Sequence, residues 1–234
     1  MKTVILAGGK GVRLRPLTYT IPKPLLPVGE KPILEEIIEW LRGHEMTDIV
    51  IAVGYRAELI ETYFRDGSQL GVQIEYVRET EPLGTAGPLA LVRDTAELAA
   101  GEPVLVLNGD ILTDLDVSAF VDAHQKSTNA MTVVTREYQL QHPYGVIQVQ
   151  DERIMGIVEK PSVTDTVSAG IYAIEPAALQ FVPHGKFFDI PDLVNALLAD
   201  GRAVGAYPFD GEWLAIDRIE QLEDASRLLA QRHA

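Results

Sequence analysis

The sequence predicts an α/β fold built on a doubly wound sheet, and three observations predict it. Short apolar runs at residues 4–7, 48–53 and 103–107 have the length and unbroken hydrophobicity of strands buried on both faces. Segments with helical apolar spacing alternate with them, the rhythm of a parallel sheet covered by helices on each side. A glycine-rich turn, Gly8-Gly9-Lys10-Gly11, follows the first run directly, at the strand end where such sheets hold ligands.

The elements follow in order. After the strand at residues 4–7, glycines at 8, 9 and 11 let the backbone turn tightly and bring its N–H groups close to an anion. Two arginines (13 and 15) and three lysines (10, 23 and 31) then lie among prolines at 16, 22, 24, 27 and 32. That many prolines exclude a helix, so the segment reads as a stiff loop carrying cations. A strand, an amide-lined turn and a cationic loop together make a triphosphate site. Two other phosphate motifs are excluded. Gly9-Lys10-Gly11 is followed by Val12-Arg13-Leu14 and then Pro16, so no G-x-G-x-x-G helix opens there, and no P-loop spacing occurs.

Pro32 suits a first helical turn, and Ile33, Leu34, Ile37, Ile38 and Leu41 form one apolar face ending at Gly43. A strand is expected at 48–53, a helix at 57–64 and an alternating strand at 71–77. The next loop, Glu79-Thr80-Glu81-Pro82-Leu83-Gly84-Thr85-Ala86-Gly87-Pro88, turns at Pro82 and Gly84 and opens a helix ending near Leu98. The strand at 103–107 runs into Asn108-Gly109-Asp110, and an acidic residue there is well placed for a divalent cation bridging phosphates. Asp114 and Asp116 fit the cap and first turn of a helix through Lys126. A strand returns at 130–136. Residues 143–150 and 153–158, joined by a turn at Asp151-Glu152, then form a hairpin that breaks the βα rhythm. Glu159-Lys160-Pro161 and a segment at 167–172 follow. Phe187 to Asp192 caps a helix through Leu198; a strand at 204–208 and a terminal helix at 219–229 complete the chain.

The 234 residues suit one domain, 1–234, with a nucleotide-binding half at about 1–128 and a second half at about 129–234. Twenty Lys and Arg against 34 Asp and Glu give a net charge of −14, which argues against nucleic-acid or anionic-membrane partners. There is no cysteine, hence no disulfide framework and no thiolate site. The glycines interrupt the first apolar run, so no signal peptide or membrane span is expected, and the cytoplasm is the expected compartment. Histidines at 44, 124, 142, 184 and 233 show no ligand spacing and read as structural or surface residues.

Leu6 to Gly11, Arg13, Pro16-Leu17-Thr18 and Lys23-Pro24-Leu25-Leu26-Pro27-Val28 resemble the signature of the sugar-1-phosphate nucleotidylyltransferases, and later segments extend the resemblance over nearly the whole chain. It implies a Rossmann-like doubly wound mixed sheet, the nucleotide-diphospho-sugar transferase fold, with a sugar-binding β-hairpin insertion. It also implies the reaction of an NTP with a sugar 1-phosphate to give NDP-sugar and pyrophosphate, with Mg2+ as cofactor and a homo-dimer or tetramer as the assembly. Arg13 and Lys23 would act on the triphosphate and Lys160 on the sugar phosphate. Leu6, Gly8, Gly9, Gly11, Glu79, Glu81, Pro82, Gly84 and Thr85 would bind the nucleotide. Asn108, Gly145, Glu159, Ala169 and Gly170 would join Lys160 around the sugar phosphate.

The loop Pro82-Leu83-Gly84-Thr85-Ala86-Gly87 resembles the guanylyltransferase branch, closest in flavour to enzymes of mannose 1-phosphate. A carboxylate at Glu79 or Glu81 suits the two adjacent donors of guanine; solvated loop carboxylates are the other reading. The family's metal aspartate matches Asp110. Its second one belongs to Trp-x-Asp-Ile-Gly, whereas this chain has Trp213-Leu214-Ala215-Ile216-Asp217. In a strand, residues 215 and 217 would point the same way, so Asp217 is the candidate second ligand. A similar shift in a cytidylyltransferase branch keeps CTP open beside GTP, and UTP or dTTP as well. Ala215 also leaves open a non-catalytic nucleotide-sugar-binding regulator.

Overall fold

A computed structural model describes residues 1–99 and 101–232; His233 lies outside them. The chain begins with β1 (Lys2–Ala7). Three single 3₁₀ turns follow at Val12–Leu14, Leu17–Tyr19 and Lys23–Leu25, then the paired short strands β2 (Pro27–Val28) and β3 (Lys31–Pro32). Next come α1 (Ile33–Gly43), β4 (Asp48–Val53), α2 (Ala57–Phe64), β5 (Gln73–Arg78), α3 (Pro88–Thr95) and β6 (Val104–Asn108). They are followed by β7 (Ile111–Thr113), α4 (Val117–Gln125), β8 (Met131–Gln141), β9 (Val146–Gln150), β10 (Arg153–Val158) and β11 (Ser162–Ile174). The last elements are α5 (Ile190–Ala199), β12 (Val204–Pro208), β13 (Trp213–Ala215) and α6 (Ile219–Arg232).

Seven strands make the main sheet in the order β12-β8-β11-β6-β1-β4-β5. β1 pairs in parallel with both β4 and β6, β4 with β5, and β8 with β12, while β11 is antiparallel to β6 and β8. The sheet is therefore mixed, as the resemblance implied. The chain winds outward from β1 through β4 to β5 and then restarts at β6 on the other side of β1. That reversal opens a crevice between the carboxyl ends of β1 and β6.

Alternation within β1 explains why its sequence reads as continuously apolar. Ile5 packs on one side with Ile49, Ile51, Leu107, Phe64 of α2 and Phe120 of α4. Val4 packs on the other with Val50, Val106, Leu89 of α3 and Leu193 of α5. Each face is sealed by helices, so apart from the buried Thr3 the interior of the strand is apolar.

The long strands β8 and β11 make the second half unlike the first. β8 runs parallel to β6, so its far end leaves the sheet on the carboxyl side, paired with the start of β11 from Ser162↔Gln141 to Val167↔Arg136. This arm carries the β9–β10 hairpin beyond the carboxyl edge of the sheet. The hairpin turn is at Asp151-Glu152, both residues at positive φ (46° and 62°), the backbone that a tight hairpin turn requires.

Three expectations shift. Residues 12–25 are neither helix nor plain loop, because the prolines permit single 3₁₀ turns that close within three residues. The helix expected from Gly84 starts at Pro88, since Gly84 sits at φ +80° and the Ala86 and Gly87 N–H groups donate to Phe188 O. It ends at Thr95, where Ala96 turns extended, rather than near Leu98. Finally, the segment at 167–172 is the tail of the 13-residue β11, whose exposed first half carries no burial pattern to betray it.

Asp189 joins the two halves of the main chain path. It lies at the N-cap of α5, donates its N–H to Asp192 Oδ2 at 2.9 Å, and its Oδ1 accepts from Thr85 N (2.8 Å) and Thr85 Oγ1 (3.0 Å). Asp189→Ala is expected to cost about 2 kcal/mol in urea unfolding, the scale for a lost cap with its hydrogen bonds.

Candidate active site

The crevice between β1 and β6 holds a pocket of about 280 Å³, lined by Leu6, Gly9, Gly11, Arg13, Lys23, Asp110 and Asp217 among others. Leu6, one residue from the end of β1, is in register with Asn108 of β6, so the glycine turn and Asn108-Gly109-Asp110 leave the sheet side by side. Gly109 N–H donates to Leu6 O at 2.9 Å and ties the two loops together. Gly11 has φ 57°, and its carbonyl accepts from the buried Thr18 hydroxyl at 2.8 Å, which fixes the curl of the cationic loop. Gly9 is exposed at the pocket mouth.

The five cations of that loop divide. Lys23, mostly buried, places its ammonium against Asp110 Oδ2 and, at 2.9 Å, Asp217 Oδ1. Arg13 reaches Asp217 Oδ2 at 3.0 Å. Arg15 instead stacks on Tyr19 with its guanidinium 5.0 Å from the ring, and Lys31 pairs with Glu39 of α1 at 2.6 Å. Lys10 is exposed.

Asp217 does not arrive by strand alternation as expected, because β13 stops at Ala215. β13 pairs with β7, so Ala215 stands opposite Ile111, and Ile216 N–H then donates to Asp110 O at 2.9 Å. This bond delivers Asp217 to the pocket beside Asp110. Its own N–H is held by Gln221 Oε1 at 2.7 Å. Burial opposes ionisation of Asp217, but the Lys23 hydrogen bond and charge, with Arg13 beside it, outweigh burial and hold the carboxyl below the usual carboxylate range.

Two carboxylates on one ammonium form an oxygen-only donor pair around a positive charge. That pair fits Mg2+, which takes one or two protein carboxylates and leaves its other positions to phosphates and water.

The nucleotide-side loop is folded over the glycine turn. Glu79 is half-buried, its Oε2 accepts from Leu83 N at 2.9 Å, and its Oε1 lies so close to Gly8 that a Cβ there would be 2.0 Å away. Burial pushes its carboxyl up, partly offset by the Leu83 hydrogen bond. Glu81 and Pro82 are exposed, and Thr85 and Gly84 both meet Asp189. Of the two carboxylates considered for a base, Glu79 is thus engaged with its own loop and Glu81 faces outward.

On the other side of Asp110, the Asn108 amide packs on Gly170, where a Cβ would meet Nδ2 at 2.7 Å. The buried Ala169 carbonyl accepts from Trp213 Nε1 at 2.8 Å. Both residues lie in the irregular part of β11 between Ser168 and Tyr172. Glu159 lies over Gly145, where a Cβ would be 3.0 Å from its Oε2. Lys160 is exposed on the arm at φ +43°. Sequence reasoning missed two supports of the site. Thr18 acts on Gly11 within the cationic loop itself, and Asp189 acts on Thr85 from 104 residues away; only the capping pattern at Asp189 was locally visible.

Residues 2–232 match the family model described as nucleotidyl transferase. The chain belongs to that family. It is 36% identical over 249 residues to a UTP–glucose-1-phosphate uridylyltransferase of Synechocystis, a match covering 99% of this chain and 64% of the relative. It is 40% identical over 221 residues to a mannose-1-phosphate guanylyltransferase catalytic subunit beta of Danio rerio, covering 92% and 61%. The chain thus spans less than two thirds of the length of these curated relatives. Among solved structures it is similar to HddC of Yersinia pseudotuberculosis complexed with GMP-PN, with TM-score 0.76 and 25% identity over 97% of this chain and 99% of that one. Among the described residues, no helix of this family member is long and apolar enough to cross a membrane.

The raised Glu79 carboxyl gives a pH signature. The native state holds that proton more tightly than the unfolded chain, so the residue costs stability as pH rises from the unfolded value through the folded one. Glu79→Gln is therefore expected to raise Tm at pH 7, with the gain vanishing below the ordinary glutamate pKa. Thermal melts of both proteins from pH 3.5 to 8 check this.

Proposed function

We propose that this chain transfers a nucleotidyl group from an NTP to a sugar 1-phosphate, releasing pyrophosphate. One observation carries the reading: Lys23 gathers Asp110 and Asp217 in the switch-point pocket, beside an amide-lined turn and Arg13. The sugar-phosphate oxygen attacks the α-phosphorus, the bond from that phosphorus to the bridging oxygen breaks, and pyrophosphate leaves with the bond's electrons. The nucleophile is already ionised at neutral pH, so no general base is required. Holding two polyanions in line and neutralising their charge is the main catalytic task.

In this reading Arg13 and Lys23 bind the triphosphate, with Leu6, Gly8, Gly9 and Gly11 supplying the turn against it. Glu81, Pro82, Gly84 and Thr85 border the base and ribose, with Glu79 shaping their loop. Asn108, Gly145, Glu159, Ala169 and Gly170 surround the sugar, and Lys160 meets its phosphate. Asp110 and Asp217 would hold Mg2+, which when bound supplies charge neutralisation on the phosphates. The compartment is the cytoplasm, where NTPs are abundant. GTP with mannose 1-phosphate or a related sugar is the proposed pair, supported by the guanylyltransferase relative and by a guanine-nucleotide analogue in the HddC structure. The uridylyltransferase relative supports UTP as the competing base.

A Mg2+-dependent pyrophosphate-release assay, crossing GTP, CTP, UTP, dTTP and ATP with a panel of sugar 1-phosphates, tests this. Turnover led by GTP is expected. Turnover led by another nucleotide would reassign the base, and nucleotide binding without turnover anywhere would favour the regulator that Ala215 left open. Lys23→Ala and Arg13→Ala are each expected to lower kcat/KM by about 10²–10³, the scale of a lost charge-stabilising donor. An unchanged rate removes the residue from the site. Asp217→Asn is expected to raise the Mg2+ concentration needed for half-maximal rate, read from a metal titration of that assay.

A further inference from the structure

The cationic loop that carries Arg13 and Lys23 has few anchors of its own. From Arg15 to Ile21 the one buried residue is Thr18, while Leu17, Tyr19 and Ile21 are exposed. A run of isolated 3₁₀ turns with so little burial opens easily. What closes it comes from elsewhere, the short connection Gly54-Tyr55-Arg56 between β4 and α2.

That connection grips both the glycine turn and the cationic loop. Tyr55 N–H donates to Gly8 O at 3.1 Å, and a Cβ on Gly54 would stand 2.9 Å from the same carbonyl. The Tyr55 hydroxyl donates to Thr18 O at 3.1 Å, and Arg56 Nη2 donates to Tyr19 O at 2.6 Å. Arg56 Nε donates to the Tyr55 hydroxyl at 3.0 Å, with the guanidinium carbon 5.4 Å from the Tyr55 ring centroid. The two side chains therefore form one clasp on two consecutive carbonyls. Arg56 does this from the left-handed region, at φ 54° and ψ 40°, as the N-cap of α2. A non-glycine residue keeps that backbone only where its surroundings over-determine it.

The grip reaches the pocket through Thr18. Its hydroxyl holds Gly11 O at 2.8 Å, and a Cβ on Gly11 would lie 3.0 Å from Thr18 Cγ2 and 3.1 Å from Lys23 Cβ. Thr18 and the stem of Lys23 thus flank Gly11, and the Lys23 ammonium ends on Asp110 and Asp217.

We propose that Tyr55 and Arg56 are positioning residues, which hold the cationic loop in the conformation that a triphosphate meets. The inference rests on the transferase reading, which puts the triphosphate on the glycine turn, Arg13 and Lys23. In this role neither residue touches a reacting atom. With the clasp gone, only a fraction of molecules presents the loop correctly, and the apparent Kd is the intrinsic Kd divided by that fraction. Saturating NTP draws the loop back, so the loss falls on KM and not on kcat.

The test uses the full chain with Arg56→Gly, which keeps the left-handed backbone without steric conflict and removes the guanidinium, and with Tyr55→Phe, which removes only the hydroxyl. The Tyr19, Thr20 and Ile21 amides close the loop's own turns, and their hydrogen exchange, measured without ligand, is expected to quicken in both variants. The calorimetric Kd for inorganic tripolyphosphate is expected to weaken about tenfold in Arg56→Gly and about fivefold in Tyr55→Phe, the scales of hydrogen bonds lost from a charged and a neutral donor. In the pyrophosphate-release assay, KM for the NTP rises in step, while kcat and KM for the sugar 1-phosphate stay within about twofold of the unmodified chain. Arg56→Lys should recover part of the loss, because an ammonium supplies a donor to Tyr19 without the fork that also reaches Tyr55. Unaltered exchange at residues 19–21 would overturn the clasp. Quickened exchange with neither the tripolyphosphate Kd nor the NTP KM altered would overturn its positioning role. A fall in kcat at unaltered KM, the mark of a merely destabilised chain, would do the same. Weakened tripolyphosphate binding in both variants, in a chain that turns over no NTP, would support the clasp and sink the transferase reading alone.

Discussion

The ammonium of Lys23, held between Asp110 and Asp217, is the constraint on which the rest of the site depends. Each of the three groups comes from a different part of the fold: the proline-braced loop after β1, the end of β6, and the tail of β13. Bringing any one of them into a half-buried position alone would leave an unpaired charge out of water, which is costly. Together they satisfy one another, and Arg13 adds a second cation on Asp217. The arrangement also reconciles a chain of net charge −14 with anionic substrates. The long-range field is negative, but within the pocket the fixed cations and the loop amides lie close enough for local attraction to dominate over screened distant charge.

The backbone bond from Ile216 N–H to Asp110 O, at 2.9 Å, makes that convergence a property of the fold rather than of side-chain reach. β13 is only three residues long, yet its pairing with β7 sets the chain on a course from which Asp217 must emerge beside Asp110. A carboxylate two residues beyond the family's usual place, at Ala215, therefore still enters the pocket. It does so as a loop residue pinned by Gln221 at the start of α6, not as the next outward residue of a strand.

What was legible in the sequence was what depends on local pattern. β4, α2 and β12 were bounded correctly, β4 because its burial on both faces starts and stops sharply and α2 because its helical stripe does. The hairpin was legible because Asp151-Glu152 interrupts an alternating run. The cationic loop was legible as rigid, although its prolines still leave room for 3₁₀ turns. Contacts between distant segments were not. Glu79 looks like an exposed loop acid in sequence, but it lies against Gly8, and Gly8 has to lack a side chain for that. Arg136 sits in what reads as an ordinary strand, and its stacking on Trp213, 77 residues later, has no local signature.

The antiparallel course of β11 accounts for the second half of the site. Had β11 run parallel to β6, its first residues would lie at the far edge of the sheet, away from any ligand. Running antiparallel, it enters from the carboxyl edge, so its opening residues pair with the outgoing end of β8 and project the β9–β10 hairpin beyond that edge. A two-stranded ribbon is marginal alone, but here it continues two strands anchored in the seven-stranded core. As β11 reaches the sheet its register slips between Ser168 and Tyr172. Gly170, at φ +74°, takes up the slip and lets the Asn108 amide approach its Cα. One irregularity in one strand thus joins the end of β6 to the arm, and Gly170 is the residue whose missing side chain makes room for Asn108 and Ile111.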